Sequence, residues 1–87
     1  MSQKRRTPDE KFLIKLYETA MESGDPFQET DFRGVAKALG QKETAIKNII
    51  KHLAQANFVK KIDDTRIYLT RHGCDFVLEE TQASNNK

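Results

Sequence analysis

Apolar residues recur with a helical period over most of this chain. From residue 11 to residue 22 they occupy nearly every position outside one narrow polar stripe, so the segment 8–23 predicts a helix that is covered on more than one side. The preceding Thr7-Pro8-Asp9-Glu10 is typical of a helix start, with a capping hydroxyl, a proline in the first turn and a glutamate that completes a capping box. We predict that this first helix ends at Ser23, before Gly24.

Two shorter apolar stripes follow, and Gly40 lies between them. Glycine readily adopts the left-handed conformation that commonly ends a helix, so the pattern predicts two helices joined by a tight turn, a helix-turn-helix unit. Thr30 or Asp31 is the expected cap of the first helix of the pair, and Asn57 is expected to end the second. The apolar positions are Phe32, Val35, Ala36 and Leu39, then Ile46, Ile49, Ile50 and Leu53.

The period changes after this pair, where aromatic and β-branched residues become frequent. Two such runs, at 58–62 and 66–69, flank the turn formers Asp63-Asp64-Thr65, so they predict a β-hairpin. A short extended segment is expected at 27–29. Thr70 is the expected cap of a last helix that runs to Glu80.

The length of 87 residues and the single cysteine bound the class of protein. We expect one α+β, mostly α-helical domain at 7–80, between a disordered basic arm at 1–6 and a disordered tail at 81–87. Cys74 alone excludes an internal disulfide and suits a reducing compartment. No apolar run is long enough to span a bilayer, and the first residues lack the apolar segment of a signal peptide. The sequence therefore predicts a cytoplasmic protein with no membrane contact.

The second helix of the pair carries a polar stripe opposite its isoleucines. Thr44, Lys47, Asn48 and Lys51 follow helical spacing, and Lys42 precedes them. Lysine supplies charge for phosphate groups, while asparagine and threonine can bond base edges in a DNA major groove. An ordinary solvated helix face carries the same residue types, so the stripe alone leaves both interpretations open.

Positive charge is concentrated although the net charge is only +2. The first six residues include Lys4, Arg5 and Arg6, and residues 41–61 contain five lysines against one glutamate. This distribution favours a surface that binds a polyanion.

The run D-F-R-G-V-A-K-A-L-G followed by E-T-A-I-K-N-I-I-K-H-L-A-Q-A-N-F-V resembles the helix-turn-helix of small prokaryotic winged helix transcriptional regulators. The segment Ile67-Tyr68-Leu69-Thr70-Arg71-His72-Gly73 is similar to that family's step from the wing into the last helix. The resemblance covers residues 8–80. It implies a three-helix core, a hairpin wing and a C-terminal helix, with a recognition helix at about 42–56 that enters the major groove of double-stranded DNA.

The wing departs from the family pattern because its tip, Asp63-Asp64-Thr65, is acidic and short. We therefore expect phosphate contacts from Lys60, Lys61 and Arg66 at the base of the hairpin. Arg5 and Arg6 of the basic arm are further candidates.

Other classes of function have less support in the sequence. His52, His72 and Cys74 show no metal-ligand spacing, and no nucleophile-base pair or phosphate-binding glycine loop is present. We predict no catalytic residue, no metal and no cofactor. The serious alternative is a winged helix that binds another protein, since a fold does not fix its function.

The first and last helices also predict a homodimer. The first helix has more apolar circumference than a small core can cover, and Phe76 extends that surplus. We expect Phe12, Ile14 and Phe76 to lie at the interface. The alternative is that Phe12 and Phe76 pack against each other within one chain.

Overall fold

Four helices and one three-stranded antiparallel sheet account for most of the chain between residues 7 and 85, the part whose backbone the computed structural model describes. Side chains are described for residues 7–81. The predicted α+β, mostly helical class is confirmed. The predicted arm at 1–6 lies outside the described residues. The elements are α1 (Pro8–Met21), β1 (Thr30–Asp31), α2 (Phe32–Leu39), α3 (Glu43–Gln55), β2 (Val59–Lys61), β3 (Arg66–Leu69) and α4 (Arg71–Asn85).

Helix α1 is the central element of the core and contacts α2, α3 and α4. It begins with the predicted capping box, in which the Glu10 amide donates to the Thr7 hydroxyl and the Thr7 amide donates to the Glu10 carboxylate. The helix ends at Met21, two residues before the predicted end, and Gly24 follows in a turn with φ 87°. Its buried side chains are Phe12, Leu13, Leu16 and Ala20.

Helices α2 and α3 form the predicted pair around a left-handed glycine. Asp31 caps α2, because its Oδ1 accepts a 2.9 Å hydrogen bond from the Arg33 amide. Gly40 ends the helix with φ 69°, and the Gln41 amide then donates to the Ala36 carbonyl at 2.9 Å. The apolar stripes predicted for both helices face the core, except that Leu39 is only partly buried.

The sheet has the strand order β1-β3-β2. The hairpin of β2 and β3 is confirmed, with Val59 opposite Leu69 and Lys61 opposite Ile67. The predicted extended segment at 27–29 was wrong by three residues, since the strand that pairs with β3 is Thr30–Asp31. The reason is a local turn, in which the Phe27 amide donates to the Asp25 carboxylate at 2.9 Å.

Helix α4 begins at the predicted cap and continues further than predicted. The Thr70 hydroxyl accepts a 3.0 Å hydrogen bond from the Gly73 amide. The helix then extends to Asn85, five residues past the predicted end at Glu80, so the first part of the predicted tail is helical. Cys74 and Val77 are buried, and Leu78 is partly buried.

The buried core corrects one predicted interface residue. Phe12 is 0% exposed and lies in the core cluster, so its predicted contact with a second copy is wrong. Ile14 and Phe76 are partly buried against that cluster, and the ring of Phe76 lies 4.9 Å from the ring of Phe58. Burial within one chain therefore uses most of the apolar surplus of α1. Within the described residues, none of the helices has the length and apolar character needed to cross a membrane.

Candidate functional site

The four polar residues predicted to face outward on α3 are all solvent-exposed in the structure. We call Thr44, Lys47, Asn48 and Lys51 the α3 stripe. It lies opposite the side of the helix that carries the buried Ile46, Ile49, Ile50 and Leu53. Lys42 is the residue before the first helical position and is also exposed. The predicted outward stripe is therefore formed as a continuous surface.

An open groove separates α3 from the hairpin and has a volume of about 770 Å³. Phe32 and Ile50 are buried residues at its base. We call it the central groove. Its other lining residues are Arg33, Glu43, Lys47, Lys51, Ala54, Gln55, Lys61, Asp64 and Thr65. Two residues of the α3 stripe, Lys47 and Lys51, thus line a groove whose second wall is the hairpin, whereas Thr44 and Asn48 are not among its lining residues.

The charged groups of the central groove differ in how far they are neutralised. Arg33 makes two hydrogen bonds to its neighbour Asp31, at 3.1 and 2.9 Å. These bonds lower the pKa of the Asp31 carboxyl and raise the pKa of the Arg33 guanidinium. Lys47 has a looser partner, since its Nζ lies 3.9 Å from the Glu43 carboxylate.

Lys51 and Lys61 have no ion-pair partner among the side chains described at 7–81. Lys51 belongs to the α3 wall of the central groove and Lys61 to the hairpin wall. An incoming anion would meet both ammonium groups without first displacing a carboxylate. These two lysines are therefore the best-placed cations for a polyanion.

The two lysines of β2 have different positions. Lys61 lines the central groove, whereas Lys60 does not, although both are exposed. Successive side chains of a strand point to opposite faces of the sheet, and Lys60 pairs with Tyr68 while Lys61 pairs with Ile67. The structure thus brings Lys61 to the α3 stripe and leaves Lys60 apart from it.

Arg66, the third predicted phosphate contact of the hairpin, is bound to two carboxylates. Its Nε and Nη2 donate to Asp63 Oδ2 at 3.1 and 2.9 Å, and its Nη1 donates to Glu29 Oε1 at 3.2 Å. The predicted phosphate contact of Arg66 stays a prediction, and this geometry shows that its guanidinium is already paired in the free protein. A phosphate would have to compete with two anions for one guanidinium.

The same carboxylate organises the turn of the hairpin. Asp63 Oδ1 accepts from the amides of Thr65 and Arg66, each at 2.9 Å. The hydrogen bond from the Thr65 amide lowers the pKa of Asp63 most, and the hydrogen bonds from the Arg66 side chain lower it further, to about 2. The turn is also tied to α2, because the Phe32 amide donates to the Thr65 carbonyl at 2.9 Å.

Among the lining residues that the sequence prediction missed, three are polar without being acidic: Arg33, Gln55 and Thr65. Gln55 continues the spacing of Thr44, Asn48 and Lys51 by one more turn, so extending the stripe would have found it. Arg33 and Thr65 reach the groove only through the packing of α2 against the hairpin. No short-range spacing in the sequence signals that packing.

A smaller groove of about 280 Å³ lies between α2 and the start of α3, lined by Arg33, Lys37, Gln41 and Glu43 among others. The side-chain oxygen of Gln41 is buried there without a hydrogen-bond partner in the described part of the chain. This groove is less than half the volume of the central groove and lacks the lysines of the hairpin.

Four other residues named in the sequence analysis, two arginines and two histidines, are not among the described lining residues of the central groove. Arg5 and Arg6 lie outside the described residues. His52 Nδ1 lies 3.4 Å from Asp9 Oδ2 on the flank of α3, and the ring of His72 stacks on Phe58 at 4.8 Å. Across the described side chains, no three His, Cys, Asp or Glu groups come together as metal ligands.

Comparison with known proteins gives no assignment, because no family model, curated protein or solved structure matches this chain.

Proposed function

We propose that this chain is a winged helix domain that binds double-stranded DNA and acts as a transcriptional regulator. In this proposal α2 and α3 are the helix-turn-helix, α3 is the recognition helix, and the hairpin is the wing. The observation that carries the proposal is the exposed α3 stripe, whose Lys51 shares the central groove with Lys61 of the hairpin. Neither lysine has an acidic partner among the described residues. In a prokaryotic cell, which the family resemblance implies, binding to the chromosome would place the protein in the cytoplasm.

The α3 stripe has the chemistry that major-groove recognition needs. Lys47 and Lys51 can neutralise phosphates, and the Asn48 amide can make a bidentate contact to an adenine edge. Lys42 and Thr44 lie at the N-terminal end of α3, the end that contacts base edges in this docking geometry. The ordinary alternative, a solvated helix face, explains the exposure but not the opposing lysine of the hairpin.

A second candidate function is supported by the acidic tip of the hairpin. Asp63 and Glu29 neutralise Arg66, and Asp64 lines the central groove. Carboxylates beside a groove oppose phosphate and suit a basic peptide, so the domain could bind a protein instead. DNA binding has the better support because four cations line the central groove against two carboxylates.

A homodimer is a separate proposal whose support is smaller than the sequence suggests. Without Phe12, the interface would use the partly buried Ile14 and Phe76. Two-fold pairing would place two recognition helices about 34 Å apart if they entered successive major grooves.

The proposed DNA binding is tested by a salt titration with a random-sequence duplex, measured by fluorescence anisotropy. We expect the logarithm of affinity to fall linearly with the logarithm of salt concentration as counterions are released. Absence of salt-dependent binding, even at low ionic strength, would favour the protein-interaction alternative.

Lys60 and Lys61 provide a matched pair for the same assay. Replacing Lys61 with glutamine should make the salt slope shallower by about one phosphate contact. Lys60→Gln removes the same charge from the adjacent residue but not from the central groove, so its slope should stay closer to that of the wild type. Equal effects of the two variants would show that binding follows total charge and not this groove.

A further inference from the structure

Arg66 is an exposed cation that the proposed DNA contact does not use directly. We propose that Arg66 is a positioning residue for DNA binding, which with Asp63 and Glu29 holds the hairpin so that Lys61 faces α3 across the central groove. This inference rests on the proposed function. In this inference Arg66 affects DNA binding by holding the hairpin in position, and its own positive charge does not contact phosphate.

The guanidinium joins two parts of the chain that are distant in sequence. Asp63 lies in the hairpin turn, whereas Glu29 lies in the segment before β1, 37 positions from Arg66. One guanidinium facing two carboxylates gives the cluster a net charge of −1, which repels phosphate. The arrangement is therefore poorly suited to direct DNA contact and well suited to fastening the turn to the β1 side of the sheet.

A chain of hydrogen bonds continues from this cluster to the central groove. Asp63, held by the guanidinium, accepts the Thr65 amide, and the Thr65 carbonyl accepts the Phe32 amide at 2.9 Å. Thr65 lines the groove and Phe32 is the first residue of α2. The position of the hairpin turn relative to the helix pair is thus coupled to Arg66.

Lys61 lies at the end of β2, next to the part of the hairpin that Arg66 closes. The Ile62 amide donates to the Arg66 carbonyl at 2.9 Å, and Lys61 is paired with Ile67. Loosening the turn would release the end of β2 and let the Lys61 side chain move away from Lys51. DNA would then have to restore that position on binding, at a cost in affinity.

Lysine cannot replace arginine in this role, and that difference provides the test. A guanidinium presents a rigid fork of donors that bonds two carboxylates at once, whereas an ammonium is a compact point charge on a flexible stem. Arg66→Lys keeps the positive charge and loses the fork. Arg66→Gln loses both.

The experiment measures the affinity of a random-sequence duplex over a range of salt concentrations for the wild type, Arg66→Lys, Arg66→Gln, Lys61→Gln and the double variant Arg66→Lys/Lys61→Gln. We expect both Arg66 variants to bind about two- to fivefold more weakly, the range of exposed ion pairs. The double variant should bind no more weakly than Lys61→Gln, because Arg66 acts through Lys61. The contrary result is that Arg66→Lys binds like the wild type while the salt slope of Arg66→Gln is shallower by about one phosphate contact. Arg66 would then be a direct phosphate contact, and the inference would be overturned.

Amide hydrogen exchange in the free protein gives a measurement that does not involve DNA. The amides of Phe32 and Ile62 should exchange faster in Arg66→Lys than in the wild type, and unchanged exchange would overturn the inference. Failure of the proposed function is distinguishable, since the wild type itself would then show no salt-dependent binding. Failure of this inference alone leaves that wild-type salt dependence intact.

Discussion

The hydroxyl of Thr70 donates a 2.6 Å hydrogen bond to the carbonyl of Asn57. Asn57 follows α3 in a left-handed conformation with φ 66°, and Thr70 precedes α4. The same hydroxyl accepts from the Gly73 amide at 3.0 Å. One side chain therefore caps α4 and fixes the start of that helix against the residue at which the chain leaves α3.

Thr70→Val should remove both hydrogen bonds while keeping the shape of the side chain. We expect the free energy of unfolding to fall by about 1–3 kcal/mol, because the loss combines a helix cap with a carbonyl left without its partner. Urea unfolding followed by circular dichroism measures the change. Thr70→Ser keeps the hydroxyl and should lose much less. A Thr70→Val variant as stable as the wild type would contradict the stabilising role of these two hydrogen bonds.

Gly73→Ala should also destabilise the fold, for a steric reason. A Cβ at this position would collide with the backbone carbonyl of Phe58, which cannot turn aside as a flexible side chain would. We expect a loss of about 1–3 kcal/mol from this overpacking. Gly34→Ala in α2 is the control, since a Cβ added there would meet no atom within 4 Å beyond the backbone of its own helix and its chain neighbours. Gly34→Ala should stabilise the fold by about 0.5–1 kcal/mol, as an ordinary helical substitution does. A gain in stability for Gly73→Ala would contradict the close approach of α4 to Phe58.

Asp63 should contribute stability that is lost in acid. Its folded-state pKa of about 2 lies below the ordinary value of 3.8, chiefly because it accepts the Thr65 amide and the Arg66 side chain. A lowered folded-state pKa stabilises the fold above the unfolded-state value, and this contribution disappears as the pH falls from about 4 towards 2. The difference in unfolding free energy between the wild type and Asp63→Asn should therefore shrink across that range. Asp64→Asn is the matched control for loss of a charge, because this neighbouring carboxylate makes no hydrogen bond within residues 7–81.

Asn48→Ala separates recognition of sequence from attraction to phosphate. If Asn48 contacts adenine, the variant should lose about 1–3 kcal/mol on a preferred site, selected from a random library, and little on random duplex. Lys51→Gln is the matched comparison on the same α3 stripe, and it should weaken both complexes similarly and reduce the salt slope by about one contact. Equal losses for Asn48→Ala on the two duplexes would remove this residue from the recognition of sequence.

The sequence predicted the elements of the fold better than the composition of the site. Gly40, Asn57, Thr70 and the capping box at α1 are local signals, in which one residue type satisfies one backbone requirement, and each has the predicted role. The state of Arg66 was not predictable in this way. Its charge suggested phosphate binding, whereas in the structure both Asp63, three positions earlier, and Glu29, from a distant part of the chain, accept hydrogen bonds from its guanidinium.

The solvent-facing side of α3 was also predictable from local spacing, whereas its neighbours on the hairpin were not. The spacing of its isoleucines fixed which side is buried, and so predicted the exposed α3 stripe. Lys60 and Lys61 could not be separated by charge or by exposure. Their difference arises from the pleat of β2 and the packing of the hairpin beside α3, which depend on contacts between distant segments.

The last prediction concerns association between copies of the chain. Ile14 and Phe76 are partly buried, and Phe12 is wholly buried, so the proposed homodimer has a smaller apolar surface than the sequence indicates. Sedimentation equilibrium at high micromolar concentration should give the mass of a dimer if these residues form the interface. Ile14→Glu should then yield a monomer whose helical circular dichroism is unchanged, because the charge would be buried between subunits and not within one. A monomeric mass for the wild type would rule the dimer out, and loss of helical signal in Ile14→Glu would assign Ile14 to the core.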